Sequence, residues 1–398
     1  MITASQRLDG IGEYYFSTKL REIDSLRKQG KDIINLGIGS PDLAPHPDVV
    51  DVLHREALKP SVHGYQSYKG SPVLRTAIAD WYKKWYTVEL NPETEILPLI
   101  GSKEGIMHIC MAFLNNGDQV LVPNPGYPTY RSAVKLAGGE CIDYDLLESD
   151  NWSPDFKSIG AYIESQPAGK VKLLFVNYPH MPTGQLGSEK LFSQVVQFAK
   201  QHKLLVVHDN PYSFILNDNP TSILSTEGAL DVVIELNSLS KSHNMAGWRV
   251  GMLCGAASII NDVMRFKSNM DSGMFLPLQL AAAKALTLGR DWHDDLNKVY
   301  AERRAKVFEM LDMISCTYST DQAGMFVWAK IPEGFDDGYA VSDRILYNTD
   351  VFITPGGIFG SAGDHFIRVS LCTPVERLEE AISRIRKHPL MPTRTTAI

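Results

Sequence analysis

Long apolar runs are missing from this chain. No stretch approaches the ~18–20 residues that a bilayer-spanning helix needs, so the sequence predicts no membrane span. The N-terminus also lacks a basic head followed by an apolar stretch, which argues against a secretory signal. Cysteine is scarce. The five present, Cys110, Cys141, Cys254, Cys316 and Cys372, form no CxxC pair. Their scatter argues against a disulfide framework or a zinc ribbon and suits a reducing cytoplasm. Eleven histidines show no HExxH spacing, so no metal site is expected. Nor is there an excess of positive charge. The formal net charge is −7 with both signs interspersed, so nucleic acid is not an expected partner. Internal repeats and low-complexity stretches are absent as well.

What remains is an ordinary globular balance, 44% hydrophobic and 21% charged, which over 398 residues provides for a large core and two or three domains. The first thirty residues read as an arm followed by a helix. From about residue 95, short runs rich in Val, Ile and Leu alternate with longer amphipathic stretches. The runs fall at 96–100, 119–122, 171–177, 204–208, 232–236 and 250–254, with helix-like segments such as 103–115 and 188–202 between them. Buried strands alternating with helices predict a mostly parallel α/β sheet, with active-site loops at the carboxyl ends of its strands. Beyond about residue 290 the texture changes. A charged helix at 298–313, strands at 325–330, 351–354 and 365–370, and a final helix from about 374 predict a smaller α+β domain. Residues 392–398 read as a frayed tail.

The segment Ser238-Leu239-Ser240-Lys241 follows one of the apolar runs, with Arg249 eight residues after the lysine. A lysine desolvated at a strand end loses its preference for the ammonium form and becomes a nucleophile. Ser238, Ser240 and Arg249 can converge on a phosphate, the arginine as a bidentate donor. A lysine alone in a serine-rich turn is ordinarily a solvated loop residue; the arginine spacing is what singles this one out. Asp209 ends the run 204–208 and Tyr212 follows three residues later. A carboxylate there can hold a protonated pyridine nitrogen, or it can simply cap a turn. The turn Gly101-Ser102-Lys103-Glu104-Gly105 lies between a strand and a helix, where backbone N–H groups make an anion site. Tyr127, in Pro123-Asn124-Pro125-Gly126-Tyr127-Pro128, can stack on a flat ring or merely pack. Asn177-Tyr178-Pro179-His180-Met181-Pro182-Thr183-Gly184 follows another strand. Arg368 sits inside the apolar strand at 365–370 and needs a partner, either a substrate carboxylate or a structural Asp or Glu.

Together, in this order and spacing, the segments resemble the class I/II aminotransferases, fold type I of the pyridoxal-phosphate enzymes, from about Asn35 to Ser370. The wording around Gly101 to Gly105 is similar to the branch for aspartate, alanine or LL-diaminopimelate. The resemblance implies an α/β fold: a large domain around a mostly parallel seven-stranded sheet (46–290), with a small α+β domain from residues 1–45 and 291–398. It implies pyridoxal 5′-phosphate held on Lys241 as an internal aldimine, with Gly101, Ser102, Lys103, Ser238, Ser240 and Arg249 around the phosphate. Asp209 then pairs with the pyridine nitrogen, Tyr212 and the stretch Asn177 to Met181 face the ring hydroxyl O3′, and Tyr127 stacks on the ring. Arg368 clamps the substrate α-carboxylate and Gly39 lines the substrate pocket. Tyr65, five residues before Gly70-Ser71-Pro72, reaches the phosphate of the other subunit, so a homodimer with shared active sites is implied. One position departs from the family. Where it usually has the Asn of Asn-Pro-Thr-Gly, which donates to O3′, this chain has Met181. The expected reaction is ping-pong transfer of an α-amino group from an amino acid to a 2-keto acid. A carbon–sulfur β-lyase would retain nearly all these residues. A cofactor-binding transcription regulator would need a basic DNA-binding module ahead of the catalytic part, and only about thirty residues precede Asn35.

Overall fold

The computed structural model describes residues 2–9, 11–13 and 15–390; the tail expected at 392–398 lies outside the described residues. Its centre is a seven-stranded sheet. In chain order the strands are β1 (Ile96–Leu99), β2 (Gln119–Asn124), β3 (Glu140–Asp145), β4 (Val171–Val176), β5 (Leu205–Asp209), β6 (Val233–Ser238) and β7 (Gly251–Gly255). Across the sheet they run β1-β7-β6-β5-β4-β2-β3. Only β7 is reversed: it pairs antiparallel with both β1 and β6, and the other pairs are parallel. The strands expected from the apolar runs all form, because strands covered on both faces read as unbroken hydrophobic stretches. The sequence reading passed over β3. It is an edge strand paired only with β2 and mostly solvent-facing, so it carries Glu140, Asp143 and Asp145 and shows no apolar run.

A buried carboxylate fastens the middle of the sheet. Glu235 of β6 accepts from Tyr82 Oη and Ser222 Oγ at 2.8 Å each, and it meets His208 Nδ1 of β5 at 2.8 Å. A buried charge is tolerable only when partnered this fully. Here the partners tie β5 and β6 together one residue before Asp209. The parallel strands β2, β4, β5 and β6 end at Asn124, Val176, Asp209 and Ser238, all at the same edge of the sheet.

The C-terminal third builds a second, antiparallel sheet in the order Thr354–Pro355, Phe366–Ser370, Phe326–Lys330, Thr317–Tyr318. Ile34–Asn35 pairs in parallel with Val351–Phe352, which ties the N-terminal part to this third. The charged helix is longer than its charge pattern suggested, running Arg290–Met313, and the last helix is Val375–Lys387. The N-terminal helix α1 (Tyr15–Lys28) is held to the helix Gly338–Thr349 by Lys19, whose Nζ donates to Asp343 Oδ1 at 3.2 Å.

Candidate active site

At the shared edge of the sheet, between it and the C-terminal third, is a cavity of about 460 Å³. Lys241 enters it from a short helix, Leu239–Ser242, directly after β6. Its Nζ donates to Gly39 O at 2.7 Å. Burial, helped by the charges of Arg368 and Arg249, brings its pKa down to about 8, though Cys372 pulls the other way. At that pKa the neutral, nucleophilic amine is a far larger fraction near neutral pH than for an ordinary lysine, though still the minority form.

Asp209 ends β5 with its carboxyl buried. Oδ2 accepts from Tyr130 Oη at 2.8 Å, while Oδ1 has no hydrogen-bond partner. Burial pushes its pKa up to about 6. An ionisable oxygen left unsatisfied at the wall of a cavity is set to receive a donor from within it. Tyr212, on the turn after β5, also lines the cavity, and burial pushes its hydroxyl pKa up.

A second cluster gathers where β6, β7 and the turn after β1 meet. Helix α2 (Ser102–Phe113) starts in that turn, and Ser102 and Lys103 line the cavity beside Ser238, Ser240 and Arg249. Ser238 Oγ bonds Ser240 Oγ at 2.8 Å, and Arg249 Nη1 donates to Ser240 Oγ at 3.4 Å and to Ala246 O at 2.8 Å. Burial and the neighbouring Arg249 lower the pKa of Lys103. The fit is close: a Cβ on Gly101 would lie 1.9 Å from Arg249 Nη2, and one on Gly251 would lie 2.6 Å from the Ser102 backbone N. Gly101 also has φ +81°, open to glycine without strain. Two cations, three hydroxyls and a helix start therefore face one small volume, a setting for a phosphate group.

On the opposite wall Arg368, from the strand Phe366–Ser370, is enclosed by rings. Its Cζ lies 3.8 Å from the ring centre of Phe326, 4.6 Å from Phe359 and 5.6 Å from Phe16. Nη2 donates to Gly37 O at 2.8 Å and Nη1 to Met181 Sδ at 3.2 Å. Gly39 is forced to be glycine by the same packing, since a Cβ would meet the Phe326 ring at 2.1 Å.

Asn177 directly follows β4, with both halves of its amide engaged. Nδ2 donates to Asp209 O at 2.5 Å and Oδ1 accepts from Met181 N at 2.8 Å. His180, the residue before Met181, turns aside from the cavity. Its Nδ1 pairs with Thr183 Oγ1 at 2.8 Å, and it is not part of the lining. Thus the cavity lining contains Gly39, Ser102, Lys103, Tyr127, Asn177, Met181, Asp209, Tyr212, Ser238, Ser240, Lys241, Arg249 and Arg368, with Gly101 packed behind Arg249. Tyr65 is elsewhere, on the outer surface and 96% exposed. Sequence reasoning missed Tyr130, which stacks on Phe175 with centroids 4.7 Å apart and reaches Asp209 across the sheet. The aromatic turn Tyr127-Pro128-Thr129-Tyr130 was the available signal. It also missed Phe16, Phe326 and Phe359, which look like plain core residues until the chain folds.

The family model for aminotransferase class I and II matches residues 31–385. The chain is 41% identical to an LL-diaminopimelate aminotransferase of Dehalococcoides mccartyi over 383 residues, 96% of this chain and 97% of that one. It is 42% identical to another from Oleidesulfovibrio alaskensis over 387 residues, covering 96% and 98%. Among solved structures, apo-BacF from Bacillus subtilis superposes with a TM-score of 0.93 at 37% identity over 98% of this chain and 99% of that one. The chain belongs to the class I and II aminotransferases and is a pyridoxal-phosphate-dependent transferase of amino groups with the fold type I architecture.

Proposed function

We propose that Lys241 is the covalent anchor and proton carrier of this aminotransferase, working between Asp209 and Arg368. The observation that carries this reading is one cavity holding an amine depressed to about 8, a buried carboxylate with one unpartnered oxygen, and an arginine ringed by aromatics. The donor set fits pyridoxal phosphate. The cluster of Ser102, Lys103, Ser238, Ser240 and Arg249 would hold its phosphate, Asp209 Oδ1 its ring nitrogen, and Tyr212 its ring hydroxyl, with Tyr127 against the ring. When bound, the cofactor supplies a carbonyl that takes up the amino group and an electron sink for the bond broken at Cα.

The chain's own residues do the rest. Arg368 binds the α-carboxylate and sets the Cα–H bond toward Lys241. Lys241 Nζ, as a free amine, would take the proton from Cα and hand it back later in the half-reaction. Asp209, ionised, keeps a proton on the ring nitrogen. The half-reactions then run in ping-pong order, an amino acid leaving as its keto acid before a second keto acid enters. We assign residues 1–45 and 291–398 to the small domain and 46–290 to the large one, and we place the enzyme in the cytoplasm as a homodimer in which Tyr65 serves the neighbouring site. The relatives' names make LL-diaminopimelate the first donor to test, with aspartate and alanine beside it. Borohydride reduction followed by peptide mapping tests the assignment: a pyridoxyl label on Lys241 is expected, and a label on another lysine sinks it. Release of ammonia and pyruvate without a keto-acid acceptor would indicate a β-lyase instead.

A further inference from the structure

The guanidinium of Arg368 lies between two rings, 3.8 Å from the centre of Phe326 and 4.6 Å from that of Phe359. Phe326 belongs to the strand that pairs with Arg368's own. Phe359 comes instead from the short turn Gly356–Phe359, and that turn is tied back to the central sheet. Gly126 N donates to Phe359 O at 2.8 Å. Asn124, the buried last residue of β2, grips the chain just beyond Phe359. Its Oδ1 accepts from Ala362 N at 3.2 Å. Its Nδ2 donates to Ser361 Oγ at 3.0 Å and to Asp145 Oδ1, at the end of β3, at 2.7 Å. These partners fix which way the amide faces, because a backbone N–H only donates and a carboxylate only accepts. Gly360 makes the approach possible: it has φ +131°, and a Cβ there would lie 2.1 Å from Asn124 Oδ1.

From this we infer that Asn124, itself outside the cavity lining, is a positioning residue for the α-carboxylate pocket and acts by holding Phe359 against Arg368. The inference rests on the reading of Arg368 given above. The physical reason is preorganisation. A guanidinium held between rings is shielded from water and kept in one plane, so it meets a carboxylate without first rearranging. Releasing residues 360–362 frees Phe359 to move off and lets water in, which weakens the ion pair. Binding of the α-carboxylate then suffers. Lys241 and the phosphate cluster stand on other elements and keep their contacts.

The test measures kcat, KM and cofactor affinity of the purified holoenzyme, with 2-oxoglutarate as acceptor and those of LL-diaminopimelate, aspartate and alanine that are turned over as donors. Asn124→Ala should raise KM for donor and acceptor alike by about tenfold, with kcat and cofactor affinity within about threefold of wild type. Asn124→Asp sets two carboxylates face to face and should raise KM at least as much. Combining it with Asp145→Asn reverses donor and acceptor and keeps an oxygen for Ala362 N. That double variant should bring KM back to within about twofold of wild type. An unchanged KM in Asn124→Ala overturns the inference, as does a double variant that recovers nothing. A loss of kcat or cofactor affinity as large as the rise in KM overturns it too, since Asn124 would then support the whole site. Arg368→Ala separates the two readings. A raised KM there beside an unchanged one in Asn124→Ala sinks the positioning role alone; an unchanged KM in Arg368→Ala removes the carboxylate site and this inference with it.

Discussion

Asp209 is held against its own chemistry. Burial raises its pKa from 3.8 to about 6, so between those pH values the folded, cofactor-free protein keeps a proton that the unfolded chain has lost. Bound protons in the folded state make stability fall as pH rises through that window, by on the order of 3 kcal/mol in total. Denaturant titrations of the apoprotein at pH 4 and pH 7 should show this fall in the wild type and a flatter response in Asp209→Asn; identical slopes would put the buried charge elsewhere. The same variant should keep the cofactor yet lose ~10²-fold or more in kcat, because an amide cannot hold the ring nitrogen protonated. Met181 poses a narrower question. A thioether cannot donate, and its sulfur is already an acceptor for Arg368 Nη1. Met181→Asn should supply a donor toward the ring hydroxyl and lower the pKa of the Lys241–cofactor linkage by roughly 1–2 units. Absorbance titration decides: curves that overlay mean the hydroxyl already has a donor, with Tyr212 the nearest candidate.

The turn into α2 is shaped by a single carboxylate. Glu104 Oε2 accepts from the Ile100 backbone N at 2.6 Å, and Oε1 meets Nε2 of the buried His108 one turn on, also at 2.6 Å. The carboxylate thereby ties the turn after β1 to the first turn of α2, next to the cavity-lining Ser102 and Lys103. Glu104→Ala removes the acceptor for Ile100 and should cost about 1–3 kcal/mol of stability. It should also weaken cofactor retention. Glu104→Gln keeps an acceptor and should lose less on both counts. Denaturation and cofactor titration of the two variants read this directly, and equal behaviour of Ala and Gln would mean that the side chain shapes nothing.

At the scale of the molecule, Tyr65 is the telling residue. It is 96% exposed in a single chain; Phe275, 40% exposed, stacks on His63 with ring centroids 5.7 Å apart, and Gln66, next to Tyr65, bridges to Gly273 two residues before Phe275. Apolar side chains gathered in this way favour a covered surface. Sedimentation should therefore give a species of two chains, and Tyr65→Ala should loosen cofactor binding without altering the fold of its own subunit. A monomer with full cofactor affinity would contradict the shared site.

How much of this was legible in advance depended on whether a residue announces its partner locally. The buried strands were readable because burial on both faces forces unbroken apolar runs. Edge strand β3 was not, because its polar face matches a loop in composition. Lys241, Asp209, Arg249 and Arg368 stood out because a charged residue at the end or middle of an apolar run is costly and demands a reason. Phe16, Phe326 and Phe359 gave no such signal, since an aromatic in a core and an aromatic around a guanidinium look alike along the chain; Tyr130 was marked only by its aromatic turn. The sequence by itself determined which groups carry charge and in what order they occur. Only the tertiary structure decided that Asp209 keeps one oxygen unpaired and that Arg368 is walled by rings, because each depends on segments brought together from far apart in the chain, as Phe16 and Arg368 are.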